Sequence, residues 1–273
     1  MSTVRTGPQI GLNVQILLLA FLAATVGLGV TGWVAGLAYG AVTCVALVRG
    51  LRHAGSVRLG PADWVTMGRG VLVGAVTALI ADALIGGRPA PVALLVAMTA
   101  VALALDAVDG KVARRTGTTS ALGARFDMEV DSFLVLGLSL YVAPAVGAWV
   151  LAIGLMRYVF LVSGWVLPWV DAQLPPRYWR KVVAAVQGVM LAVAAAQVLP
   201  GMLTTIMLLT ALGLLVESFG RDVSWLWRHR QVRTVPALVV PAAPTVPSVP
   251  IGRRRAERVD ERDLSASPVL SLR

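Results

Sequence analysis

Residues 106–131 read DAVDGKVARRTGTTSALGARFDMEVD, and the pattern of acids and glycines in this stretch organises the rest of the chain. Asp106, Asp109, Gly110 and Ala113 recur at i, i+3, i+4 and i+7, the period of one helical face. Gly123, Asp127 and Asp131 recur at i, i+4 and i+8, again one face. Between them Arg115 to Leu122, with Gly117 and the Thr118, Thr119, Ser120 cluster, predicts a turn joining antiparallel helices. Two facing helix ends then aim four carboxylates at one point. Carboxylates that close repel one another unless cations sit among them, so hard divalent ions held through oxygen are expected. Mg2+ or Mn2+ suits such a site, because both keep positions open for substrate phosphates. Two such ions would clamp the attacking and leaving oxygens of a phosphoryl displacement. Gly110 and Gly123 leave room for a ligand near the backbone, and Arg114 offers a fork of donors to a phosphate or a base edge. The bland alternative makes these acids helix caps or solvent contacts. Asp127 would suit an N-cap, whereas Asp106 and Asp109 at a helix C-terminus would face an unfavourable dipole.

The surroundings are those of a membrane protein. Of the 273 residues, 57% are hydrophobic and only 14% charged, a balance that excludes an ordinary soluble domain. Apolar runs of spanning length can be marked near Leu12 to Val30, Trp33 to Val48, Trp64 to Ile85, Pro91 to Val108, Phe126 to Val142, Val146 to Val166, Val182 to Leu199 and Met202 to Phe219. The expectation is an all-α, polytopic membrane helix bundle with eight transmembrane helices. Lys and Arg mark the cytoplasmic side of such a bundle. Arg49, Arg52 and Arg58, then Lys111, Arg114, Arg115 and Arg125, then Arg177, Arg180 and Lys181, then the arginines of the tail, all fall on one set of loops; the opposite set holds Arg88. Both termini and the aspartates are therefore expected at the cytoplasmic face of the cell membrane. Arg5 and the apolar run after it are read as the start of a retained hairpin rather than a signal peptide, since the run is long and leads directly into a second span.

Residues 106–131 fit D-x2-D-G-x2-A-R-x8-G-x3-D-x3-D at all eight fixed positions and so resemble the signature of the CDP-alcohol phosphatidyltransferase family. Eight fixed positions match by chance with odds on the order of one in a billion at a given start, which is too rare to ignore. The resemblance implies a six-helix core from about Trp64 to Phe219, with the signature at the end of its second helix and in its third. It also implies a homodimer. The domain organisation expected is a two-helix extension with a basic loop over 1–62, a catalytic core over 63–227 and a tail over 228–273. The tail's Pro, Val and Ala stretch and its charged run predict a disordered segment. The resemblance assigns Asp106, Asp109, Asp127 and Asp131 to two metal ions and Asp131 to the general base. Gly110, Ala113, Arg114 and Gly123 then line the nucleotide.

Weaker matches flank the signature. Asp63, Thr66 and Arg69 are similar to the family's N-x2-T-x2-R at the start of its first core helix, with Asp63 in place of Asn; Thr66 is expected either to contact the nucleotide or to bond back to its own helix. Arg157 stands inside an apolar run, a costly place for a charge. It either binds the acceptor's phosphate or pairs with an interior carboxylate such as Glu129 or Glu217. Lys181 and Gln187 resemble a G-K-x-K-T-x2-Q segment in which Arg180, Val183 and Ala184 depart from the pattern. Arg177, Arg180 and Lys181 form either an acceptor-phosphate pocket or an anchor at anionic headgroups.

Gly32, Gly36 and Gly40, spaced by four, allow close helix packing or reflect simple glycine richness. Asp82, far from the signature, is expected at the opposite membrane interface. A single cysteine, Cys44, excludes an intrachain disulfide and a Cys-rich metal site. The net charge of +10 belongs to membrane orientation and the tail; without a folded basic face carrying aromatic platforms, nucleic-acid binding is not expected. The function expected is transfer of a phosphatidyl group from CDP-diacylglycerol to a small alcohol acceptor, with a phosphorylated polyol favoured and CMP released. The rivals are a divalent-cation transporter, since intramembrane acids also mark ion pathways, and an inactive scaffold of the same family.

Overall fold

A computed structural model gives the fold, and it describes residues 3–53, 61–116, 121–167 and 178–229. Among these residues the chain forms eight α-helices and one 3-10 turn. They are α1 (Thr3–Val26), α2 (Val30–His53), α3 (Pro61–Leu84), α4 (Val92–Thr116), α5 (Ala121–Val146), α6 (Leu151–Val166), α7 (Tyr178–Ala195) and α8 (Gly201–His229), with the 3-10 turn Ala148–Val150 before α6. Among the described residues, five segments are long and apolar enough to cross a membrane: Gly7–Val26, Val30–Arg52, Asp63–Leu84, Gly123–Val146 and Gly201–His229. Val92–Val108 and Ala148–Gly164 are apolar but shorter. The helices overrun the apolar runs that announced them. Hydropathy marks the part of a helix that meets lipid, whereas backbone hydrogen bonding carries α4 on to Thr116 and α8 on to His229.

Contacts between neighbours show an up-and-down bundle. Side chains in the first half of α3 meet the second half of α4 and the start of α5, while the end of α3 meets the α1–α2 turn. Helix α3 is the hub, packed against α1, α2, α4 and α5. In its spanning segment 61% of residues are buried, against 22% in α1 and 17% in α2, so α3 is core and the hairpin lies outside it. Outward-facing residues remain apolar: Leu17, Phe21, Val30 and Met202 are all more than half exposed. An apolar exterior of that extent belongs in hydrocarbon.

The hairpin is nevertheless part of the same compact unit, Met1–Gln231. Leu19 and Leu22 of α1 are fully buried in the common core. The Gly32, Gly36, Gly40 stripe is the packing surface: a Cβ on Gly32 would lie 2.9 Å from the Ala78 carbonyl oxygen of α3, and one on Gly36 would lie 2.7 Å from Leu19 of α1. Gly27, at φ +70°, makes the turn between α1 and α2.

Asp82 lies near the end of α3 away from Arg69. It is buried at 6% exposure, where its Oδ2 accepts the Gly29 N–H at 2.9 Å and its Oδ1 accepts the Thr31 hydroxyl at 2.7 Å. A carboxylate from α3 thus caps the N-terminus of α2, satisfying an otherwise open amide and opposing the helix dipole. Arg88 closes the same corner by donating to the Gly27 carbonyl.

Candidate active site

Arg69 lies about two turns inside α3 and is fully buried, at 0% exposure. A guanidinium there is costly unless carboxylates surround it. Its Nη1 donates to Asp106 Oδ1 at 2.7 Å. Its Nη2 donates to Asp127 Oδ1, donates to the Asp127 carbonyl at 3.2 Å, and stands 3.2 Å from Asp131 Oδ1. One arginine therefore pins α3, α4 and α5 together at a single point.

Asp106, Asp127 and Asp131 each offer an oxygen, and these oxygens all lie within 4.8 Å of one another. Their side chains are 34–40% exposed, whereas Arg69 below them is sealed. Among the described residues, three carboxylates face one guanidinium, leaving a surplus of negative charge directed outward. The donors are hard oxygens with an open side, and that chemistry fits Mg2+ or Mn2+.

Two details correct the sequence reading. Helix α4 continues about three turns past Asp106, so this acid does not sit at the C-terminus, and the dipole argument against a capping role does not hold. Asp127 lies in the second turn of α5, past the N-cap that was its bland alternative. What draws the acids together is Arg69. Sequence reading placed that residue only as part of a weak motif, and its link to the aspartates was missed. The available signal was a charged residue inside an apolar helix, the same signal that drew notice to Arg157.

The other expected residues distribute unevenly. Thr66 is buried on α3, three residues before Arg69 and on the same helical face. Gly123 is half-buried in the first turn of α5. Asp109, Gly110, Ala113 and Arg114 belong to the helical backbone of α4, while their side-chain surroundings lie outside the described residues. Arg177 lies outside them as well.

Arg157 of α6 pairs with Glu129 of α5 at 2.7 Å, one of the two carboxylate partners anticipated for it. Glu129 is thereby engaged with α6. Arg180 of α7 lies 3.7 Å from the buried Asp222 of α8, and the Trp179 indole N–H donates to Glu217 at 3.1 Å. Lys181 is exposed. The basic cluster of α7 is thus partly committed to holding α8.

The geometry gives a carboxylate cluster that could hold a metal ion at one end of an apolar bundle, and residues 60–216 match the family CDP-alcohol phosphatidyltransferase. The chain belongs to that family. It is accordingly a member of a transferase family that acts on CDP-linked alcohols in membranes. The matched segment begins just before α3 and ends within α8, so the whole Arg69–aspartate centre falls inside it, while α1 and α2 precede it. No individual curated protein and no solved structure matches the chain.

Proposed function

We propose that this protein transfers the phosphatidyl group of CDP-diacylglycerol to the hydroxyl of a small phosphorylated polyol, such as glycerol 3-phosphate or inositol 1-phosphate, and releases CMP. The observation that carries this reading is the cluster of three half-exposed aspartates tied from beneath by Arg69. In this reading Asp106, Asp109, Asp127 and Asp131 hold two divalent cations, Mg2+ or Mn2+. Such ions supply charge that neutralises the pyrophosphate and the displaced oxygen. Thr66, Gly110, Ala113, Arg114 and Gly123 bind the CMP portion, and the acyl chains lie in lipid between helices.

Asp131 is the general base. It takes the proton of the acceptor hydroxyl as that oxygen bonds to the lipid-bearing phosphorus, and the bond from phosphorus to the CMP oxygen breaks. Arg114 donates to the phosphate oxygens as charge builds on them. Arg157 exchanges its Glu129 partner for the acceptor's phosphate, with Arg177, Arg180 and Lys181 adding positive charge nearby. The Lys and Arg pattern supports a cytoplasmic location for this face and for both termini. The transporter reading expects broken helices near the bilayer midplane, whereas the aspartates stand on the continuous helices α4 and α5.

The test is CMP release from CDP-diacylglycerol by purified full-length protein with Mg2+ or Mn2+, across a panel of phosphorylated and plain alcohols. CMP that depends on one acceptor establishes the reaction and names the acceptor. Binding of CDP-lipid without CMP release under any condition would favour the scaffold reading instead.

A further inference from the structure

A buried guanidinium needs one carboxylate for charge balance, and Arg69 takes three. It is held at 0% exposure on α3, where Met67 and Val71 beside it are buried as well. Its Nη1 reaches Asp106 Oδ1 of α4 at 2.7 Å, while Nη2 reaches Asp127 Oδ1 and Asp131 Oδ1 of α5, the latter at 3.2 Å. Nη2 also donates to the Asp127 carbonyl at 3.2 Å, so the side chain and backbone of that acid are fixed together. In each of these ion pairs the acid gives its Oδ1, and the three side chains stay 34–40% exposed.

The consequence concerns where the acids stand rather than how many there are. Like charges whose oxygens lie within 4.8 Å of one another move apart when nothing holds them. A cation arriving at splayed acids must first draw side chains of two helices together, an ordering cost that lowers its affinity. Arg69 meets that cost at folding. Its shape suits the task, because two Nη atoms in one rigid plane serve acids on two helices at once, whereas a lysine ammonium is a single point charge. Groups that orient metal ligands from behind are worth roughly 10–100-fold in metal affinity.

We propose that Arg69 is a positioning residue for the divalent cation: it holds Asp106, Asp127 and Asp131 by one oxygen each in the arrangement the ion meets, and it stays in place when the ion binds. Each acid then offers the ion a single oxygen, and the guanidinium is not displaced. This inference rests on the divalent-cation reading of the aspartates above. It adds to that site a residue on a third helix, 37 residues before Asp106.

The decisive variant is Arg69→Lys in the full-length protein, which keeps the buried charge and loses the fork. Mn2+ binding, followed by electron paramagnetic resonance, is expected to weaken by about tenfold or more. Asp82→Ala, which loosens the other end of α3, controls for lost stability and should bind Mn2+ as the wild type does. Wild-type affinity in Arg69→Lys overturns the proposal, as does equal weakening in Asp82→Ala. Where Arg69→Lys yields no folded protein, the wild type decides. Infrared difference spectra on adding Mn2+ should show the wide separation of carboxylate stretches that single-oxygen coordination gives. A narrowed separation, the mark of chelation by both oxygens, means that the ion displaces Arg69 and overturns the proposal. No saturable Mn2+ binding by the wild type overturns the divalent-cation reading itself, and this inference with it.

Discussion

The two ends of α3 use the same side chain for opposite purposes. At one end Asp82 is buried and its oxygens are met by neutral donors, the Gly29 amide and the Thr31 hydroxyl, so one carboxylate finishes one helix terminus. At the other end Asp106, Asp127 and Asp131 crowd within 4.8 Å around the single guanidinium of Arg69 and stay more than a third exposed. The first arrangement is complete within the chain. Among the described residues, the second sets three carboxylates against one guanidinium on an open side, which suits a cation-dependent site. Aspartate content alone therefore says little; the ratio of acids to donors, and the exposure of that surplus, separates a structural acid from a reactive cluster.

The largest effect is expected at Asp131. Asp131→Asn should lower turnover by about a thousandfold while CDP-lipid binding is largely kept, because a missing general base affects chemistry more than binding. Parallel CMP-release and lipid-binding measurements check this, and equal loss of both would defeat the base assignment.

Arg69→Gln removes the tie between three helices and leaves the acids to repel. It should cost about 3–5 kcal/mol of stability, the penalty for breaking a buried ion pair. Added Mg2+ should restore part of the lost thermal stability, since a cation then does the neutralising. A variant whose melting is indifferent to Mg2+ would contradict the idea that the aspartates accept cations.

Asp82→Ala sharpens the contrast from the other side. Loss of the cap on α2 should cost about 1–2 kcal/mol, with no dependence on divalent ions. Thermal unfolding with and without Mg2+ reads this directly. The smallest stability effect is expected at Arg157. Its pair with Glu129 is half-exposed, so Arg157→Ala should change stability by about 1 kcal/mol or less. The same variant should raise the acceptor's KM well beyond that of the CDP-lipid, and a parallel rise in both would remove Arg157 from the acceptor site.

Much of this was legible in the chain itself, and the omissions have a common cause. The i, i+3, i+4, i+7 spacing of Asp106 to Ala113 is local, so a helical face carrying acids could be read directly, and composition alone announced an apolar helical bundle. Arg69 could not be joined to its partners, because Asp106 and Asp127 are 37 and 58 residues away and only packing of α3 against α4 and α5 unites them. The capping role of Asp82 could not be read for the same reason, its partner Gly29 being 53 residues distant. Helix lengths were underread because the last turns of α4 and α8 carry the charges that end an apolar run without ending a helix. The role of Gly32, Gly36 and Gly40 stood open until α1 and α3 were seen to fill the space above them.

If the Arg69-bound aspartates form a divalent-metal centre, they bind cations and Asp82 does not. Mn2+ binding to full-length protein, followed by electron paramagnetic resonance, tests it most directly. Saturable binding is expected for the wild type and for Asp82→Asn, with weakening by about tenfold or more in Asp127→Asn. No saturable Mn2+ binding by the wild type, or an equal loss in Asp82→Asn and Asp127→Asn, would contradict it.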